Sequence, residues 1–386
     1  MPALKQFHMR SIPIIISIVL SSLMATGSFA ADIRSSLKAI HEIGKEGAGN
    51  EAAMDAWQQL SQSSVQDLPQ LILGMNGGSP LSNNWIRLAV QTVIDRNTRS
   101  ETGSQSVPVI EILAILSDRE NSAATRTLAY DVLSSANVEL AQSLSREFAN
   151  DPALPLRRLT IAGLIERARN LKADGMNDQA LAVFQQALAS ARDIDQIESV
   201  VTELNAMGQD QTVAQALGFL QDWKIIGPFH NNNREGFEDI FPPEKNIALN
   251  SKYPGKNGEV SWQEFVSKDS YGKVDVNEAI AALKEVTAYA YREFDSPVEQ
   301  VAELRLGCKN AWKIWFNGEF IFGRDEYHRG AQIDQYVFPV TLKKGPNKIL
   351  IKLCQNEQTE SWTREWEFQF RICDPLGTAL AESSSK

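Results

Sequence analysis

The run Arg324-Asp325-Glu326-Tyr327-His328-Arg329 places an aromatic ring, an imidazole and four charged side chains in six consecutive positions. A ring that can lie on the apolar face of a sugar, with polar groups beside it to bond hydroxyls, is the chemistry of carbohydrate recognition on a loop. Asp334 and Tyr336 follow closely enough to join the run, and Trp315 precedes it. The competing reading of Arg beside Asp is a solvated ion pair that fixes a turn. A second polar run, His230-Asn231-Asn232-Asn233-Arg234-Glu235, could also bond a sugar. Asparagine is a turn former, however, and the run reads as a turn.

Signatures of catalysis are missing from the sequence. It has no Gly-x-Ser-x-Gly elbow, no His-Glu-x-x-His, no phosphate-cradling glycine loop and no dinucleotide fingerprint. No catalytic residue is therefore expected, although a carboxylate pair for glycoside cleavage can be assembled from distant loops. Three cysteines, Cys308, Cys354 and Cys373, lack the CxxC or Cys/His spacing of a zinc site. Cys308 and Cys354 each close an apparent strand, so they either pair as a disulfide, if those strands are neighbours, or stay reduced.

The elements that would hold the 324–336 loop are strands. Trp312 to Phe316, then Asn317-Gly318, then Glu319 to Phe322 predicts a hairpin, because Asn-Gly readily takes the positive φ of a two-residue turn. Alternation puts Trp312 with Ile314 and Phe316, and Trp315 on the opposite face with Lys313 and Asn317. Whichever face is inner, one of the two tryptophans is core; Trp262, Trp362 and Trp366 also read mainly as core. Tyr336 to Leu342 and Lys348 to Cys354 read as a second pair across residues 343–347. Glu365 to Cys373 alternates, with Trp366, Phe368, Phe370 and Ile372 inward and Glu365, Glu367, Gln369 and Arg371 on a wet face. Val286 to Tyr291 and Val301 to Leu306 bring the count to at least seven strands, enough for two antiparallel sheets packed face to face.

Upstream, from Asp32 to about Leu220, apolar residues recur every three or four positions and the chain reads as helical. Trp85-Ile86-Arg87-Leu88-Ala89, Thr125-Arg126-Thr127-Leu128-Ala129 and Leu156-Arg157-Arg158-Leu159-Thr160 echo one another at a helix-pair period, each after a polar break. These segments resemble HEAT-type repeats. Gly175, Ala180, Phe184 and Ala187 resemble the heart of a tetratricopeptide repeat, over the hairpin Ile165 to Ala191, with Ile194 to Leu220 stacking next. The resemblance implies an α-solenoid whose concave surface binds a protein partner, or one that serves as a spacer.

The second half resembles the galactose-binding-like jelly rolls of secreted bacterial proteins and of some glycoside hydrolases. The residues that carry this are Asp222 to Phe229, Phe241-Pro242-Pro243-Glu244, Leu304 to Gly307, Ile314 to Gly318, His328-Arg329-Gly330 and Lys344 to Lys352. The resemblance covers nearly all of 221–375 and implies an antiparallel β-sandwich whose ligand is carbohydrate or a protein surface. It also admits a structural calcium ion; no other cofactor is expected, and no Asp-x-Asp-x-Asp ladder marks a calcium site.

Residues 1–30 read as an export signal: Lys5 and Arg10, an apolar stretch from Ile12 to Met24, and Ser28-Phe29-Ala30 as the cleavage end. Removing them takes away two basic and no acidic residues, leaving 36 Lys and Arg against 48 Asp and Glu. An acidic chain disfavours nucleic acid as a partner, and no other stretch is apolar enough to span a bilayer. About 355 residues exceed one core, so the expected order is signal peptide 1–30, helical repeats 31–220, β-sandwich 221–375 and a disordered tail 376–386. The expected function is an exported, periplasmic or extracellular, non-catalytic binding or scaffold protein. The alternatives are a polysaccharide-degrading enzyme or its accessory subunit, and a structural envelope component.

Overall fold

The computed structural model describes residues 32–100 and 105–383, so the expected signal peptide lies outside the described residues. The chain is α then β, and the described residues form two compact units that divide between Gly163 and Leu164. The change from helix to strand comes at Asp222, so the last helices share a unit with the sheets.

In the first unit, α1 (32–41), α2 (Asn50–Ser61), α3 (Leu68–Leu73), α4 (Pro80–Thr98), α5 (Val109–Ser117), α6 (Ala123–Ala136), α7 (Val138–Leu144) and the start of α8 (Leu154–Ala173) enclose one apolar core. Ser79 and Ser122 cap α4 and α6 by accepting from the backbone N–H three residues on. The first polar break is thus shorter than expected, because Pro80 to Asn84 already form the first turn of α4. Among the repeated segments two equivalent positions are buried throughout: Ile86, Arg126 and Arg157, and three residues on Ala89, Ala129 and Thr160, the smaller residues that let helices approach. The leucines beside them differ: Leu128 is buried, whereas Leu88 and Leu159 are 59% and 39% exposed.

A buried ion pair locks this unit. The Arg126 guanidinium donates to both Asp151 oxygens at 2.6 and 2.7 Å and to the Leu116 carbonyl at 2.8 Å. Burial alone would raise the Asp151 carboxyl, but the Arg126 fork and the Ala153 N–H outweigh it and hold the group below its ordinary value.

In the second unit, α9 (Asn177–Ser190), α10 (Ile194–Ala206) and α11 (Val213–Leu217) precede twelve strands. Gly175 turns the chain into α9 at φ +77°, and Ala180, Phe184 and Ala187 are fully buried. The strands are β1 (Asp222–His230), β2 (Lys252–Gly255), β3 (Gly258–Ser261), β4 (Gln263–Val266), β5 (Val274–Asp275), β6 (Val286–Ser296), β7 (Gln300–Cys308), β8 (Ala311–Phe316), β9 (Glu319–Arg324), β10 (Tyr336–Leu342), β11 (Gly345–Gln355) and β12 (Glu367–Cys373). They form a six-stranded sheet in the order β4-β1-β6-β11-β8-β9, a four-stranded sheet in the order β10-β7-β12-β5, and the β2–β3 ribbon. All pairings are antiparallel. The two larger sheets share a core to which β8 contributes Trp312 and Ile314, β11 Ile349, Ile351 and Leu353, and β12 Phe368, Phe370 and Ile372, with Trp366 just before it.

The β8–β9 hairpin forms as the sequence predicts, with Asn317 at φ +52° and Gly318 at φ +88°. The expected β10–β11 pair does not. β10 pairs with β7, and β11 with β6 and β8, because residues 343–347 turn a corner between sheets rather than a hairpin. Asn347, fully buried, makes that corner by accepting from Lys343 N and donating to the Lys343 and Gly345 carbonyls. The expected wet face of β12 is covered as well. Gln369 and Arg371 are 5% and 3% exposed, since Arg371 donates to the Leu217 and Gly377 carbonyls and Gln369 to that of Tyr271. Residues 376–383 are likewise not a free tail: Leu380 N–H donates to Ile372, and Ser383 N–H to Asp295. The three cysteines are reduced and buried; Cys308 and Cys354 sit on different sheets, and burial pushes their thiols up to about 12 and about 11. Among the described residues no helix is long and apolar enough to cross a membrane.

The outer face of the six-stranded sheet is covered by residues 231–262. Leu350, Tyr289 and Tyr291 pack there against Phe241, Val260 and Trp262. Within this apolar layer lies the fully buried Lys352 ammonium, which donates to the carbonyls of Phe237 (3.0 Å) and Asp239 (2.6 Å) and to Glu244 (2.9 Å). The rings of Phe241 and Tyr289 stand 5.3 and 5.8 Å from it.

Removing one partner of a buried ion pair strands the other's charge, at a cost of about 3–5 kcal/mol. Arg126→Leu is expected to lose that much stability in urea unfolding at neutral pH. The deficit should shrink as pH falls through the carboxylate range, because Asp151 becomes cheaper to bury once protonated. Lys352→Met is expected to lose a comparable amount, and adding Glu244→Gln should recover part of it, read as a shift of the urea midpoint.

Candidate functional site

Three loops meet at one end of the sheets: residues 231–237 after β1, 325–335 between β9 and β10, and 356–366 between β11 and β12. The first is anchored by Asn231, which is fully buried and whose amide donates to the Gln355 carbonyl (2.9 Å) and to the Tyr327 hydroxyl (3.1 Å). That contact joins the first loop to the second. Arg234 reaches across to the third, bonding Glu357 through Nε (3.1 Å) and Nη2, with its guanidinium 5.3 Å from the Tyr327 ring centre. The Arg234 bond holds the Glu357 carboxyl below its ordinary value, so this group accepts hydrogen bonds and has no proton to give at neutral pH.

His328 joins the second loop to the third. Its Nε2 lies 2.7 Å from Asn356 Oδ1, and that oxygen is identified by the bond it accepts from Gln358 N. Nε2 therefore carries the proton and Nδ1 is an unpartnered acceptor. Burial lowers the affinity of the ring for a second proton; the Asn356 bond opposes this, and the nearby Lys284, Lys309 and Arg234 reinforce it. The imidazole is thus neutral at neutral pH. Trp362 packs edge-on to His328 at 5.7 Å and is 57% exposed, so one indole face is open to solvent. Its loop is fixed below by the buried Thr363, whose hydroxyl donates to Gln358 and Glu360 and whose carbonyl accepts from Lys284 and Gln355.

The backbone is strained at this end. Asn233, Arg234 and His328 have φ of +52°, +65° and +57°, a region that side-chain-bearing residues rarely adopt.

Tyr327 and His328 are the residues of the expected set that come together here. Tyr327 spends its hydroxyl on Asn231 and one ring face on Arg234, and burial pushes its phenol up. Asp325, at the start of the same loop, is exposed overall; partial desolvation of its carboxyl and the charge of Glu238 raise its pKa, against Arg234 and Lys313. Arg324 and Arg329 both pair with Glu326, at 2.9 and 3.3 Å, which is the turn-fixing ion pair weighed above with Glu326 in place of Asp325. Asp334 lies elsewhere, held between Arg305 (2.7 Å) and Arg371 over the four-stranded sheet. Tyr336 packs on Trp312 at 4.8 Å and beneath Arg324. Trp315 is on the outer face of the six-stranded sheet against Phe320, and Trp312 is the buried member of the pair.

Sequence reasoning passes over Asn356 and Glu357, reads Trp362 as core, which its 57% exposure overturns, and treats Asn231 and Arg234 as turn formers. The signal available was weak: a tryptophan among Gln, Thr, Glu and Ser, with no periodicity to place it on an inner face. Among the described residues no three His, Cys, Asp or Glu side chains cluster as metal ligands.

No protein-family model matches the chain, and no curated protein does. Among solved structures it is similar, over 39% of its length, to 16% of a beta-glucosidase from Kluyveromyces marxianus in complex with glucose, at 10% identity and a TM-score of 0.25. It is similar over 41% to 28% of a beta-glucuronidase from an uncultured Clostridium species, at 12% identity and a TM-score of 0.24. Over 30% it is similar to 15% of the GH31 alpha-xylosidase from Xanthomonas citri, at 9% identity and a TM-score of 0.19. The chain spans less than a third of the length of each of these proteins. Likenesses this slight assign it to no family.

Proposed function

We propose that the chain is an exported, non-catalytic binding protein in which a galactose-binding-like jelly roll recognises carbohydrate through the Trp362–His328 end of its sheets. An α-solenoid of HEAT- and tetratricopeptide-like hairpins is its protein-contacting half. The observation that carries this reading is the open indole face of Trp362, held on a hydrogen-bonded loop beside His328 and the Arg234–Glu357 pair. An exposed indole on a rigid support offers the C–H face of a pyranose a stacking surface at little entropic cost. The Arg234–Glu357 pair on the adjoining loops offers a donor and an acceptor for hydroxyls, while His328, bonded to Asn356, supports the indole. Export rests on residues 1–30 and their signal-like order of charge, apolar stretch and small-residue end.

A glycan array probed with the full chain is expected to return one class of neutral or uronate-bearing polysaccharide. In titration calorimetry with the best hit, Trp362→Ala should weaken binding about tenfold or more, since losing a stacked aromatic costs on the order of 1–2 kcal/mol. Trp315→Ala, on another face, should leave the affinity unchanged. An array with no glycan bound, or a Trp362→Ala chain that binds as tightly as the parent, refutes the reading.

A further inference from the structure

The two larger sheets have four edge strands, and three of them are very short or interrupted by proline, which discourages pairing with another chain. β10 has Pro339 at its centre, which removes a ladder donor. β5 is two residues long. β4 is four residues long and carries Glu264, bonded to Lys224 at 2.7 Å. β9 differs: it runs for six residues, Glu319-Phe320-Ile321-Phe322-Gly323-Arg324, with neither proline nor lysine. A bulge at Ile321 interrupts its ladder with β8, yet apolar side chains are displayed on both sides of it. Phe320 is 56% exposed beside Trp315, and Phe322 is 46% exposed against Phe338 of β10, 5.9 Å away. The two rings leave exposed apolar surface along the β9 edge.

We propose that this edge joins two copies of the chain, their β9 strands antiparallel about a two-fold axis. The strand is complementary to itself in that arrangement alone. Glu319 faces Arg324 of the other copy at both ends, Ile321 faces Phe322, and Phe320 faces Gly323, which has no side chain to obstruct the ring. A parallel arrangement in the same register would set Glu319 against Glu319 and Arg324 against Arg324. The contact is small beside a standard interface, so association is weak, with a dissociation constant on the order of micromolar. The proposal is independent of the carbohydrate reading, because none of these residues belongs to the Trp362 end.

Sedimentation velocity of the full chain from about 1 to about 200 µM is expected to show the average mass climbing from one chain towards two. Phe320→Lys should hold it at one. Glu319→Arg and Arg324→Glu should each be monomeric alone, because both ends then repel. Mixed in equal amounts, these two variants should associate again, since both end contacts become Arg against Glu. A variant that had merely misfolded would not regain a partner on mixing. A parent chain that stays monomeric at the highest concentration overturns the proposal, as does a dimer unaffected by Phe320→Lys or a mixture that fails to associate.

Discussion

The Lys352 ammonium, buried at the middle of the six-stranded sheet, is the constraint on which the rest of the second unit depends. β11 pairs on both sides, so Lys352 has no edge from which to reach water. An unpaired charge in that position would forbid the fold. It is accommodated because residues 237–244 cross the sheet and turn two carbonyls and a carboxylate onto it. Those groups define where the covering segment lies. Because Asn231 and Arg234 stand just before this segment, its placement also bears on which residues of the 325–335 and 356–366 loops they bond.

The first unit reaches a comparable result with Arg126 and Asp151. An apolar replacement of a buried pair is often as stable as the pair, so net stability is a poor explanation for charges in a core. Selectivity explains them better. Arg126 can be neutralised where the turn before α8 presents Asp151, and a slipped helical pairing leaves both charges stranded. Buried ions of this kind penalise wrong arrangements more than they reward the right one.

What the sequence disclosed follows from the range of each signal. Asn317-Gly318 encodes its own turn, and β8 and β9 are the one pair of consecutive strands from β6 onward that stay in one sheet. Elsewhere successive strands alternate between sheets, so nearness in sequence misleads, as it did for β10 and β11. Alternation identified the inner residues of β12 correctly, but its outer face is dry because α11 and residues 376–383 lie over it, a fact no property of Arg371 announces. Of the candidate site, Tyr327 and His328 were legible as a polar aromatic run on a loop. Trp362 was not, because an isolated tryptophan outside any strand looks the same whether it is core or surface.

The arrangement at the loop end bears on whether it can bind tightly. Asn231, Tyr327, Asn356 and Thr363 are bonded chiefly to one another and to main-chain groups, so the framework has few rotamers left to lose. The group that remains available, the indole of Trp362, is carried by that framework rather than belonging to it. A ligand there orders little beyond itself, and most of its contact energy is realised as affinity. The positive φ at Arg234 and His328 sits on the same bonded framework: Arg234 is held to Glu357, His328 to Asn356, and the neighbouring Asn231 to Gln355 of β11.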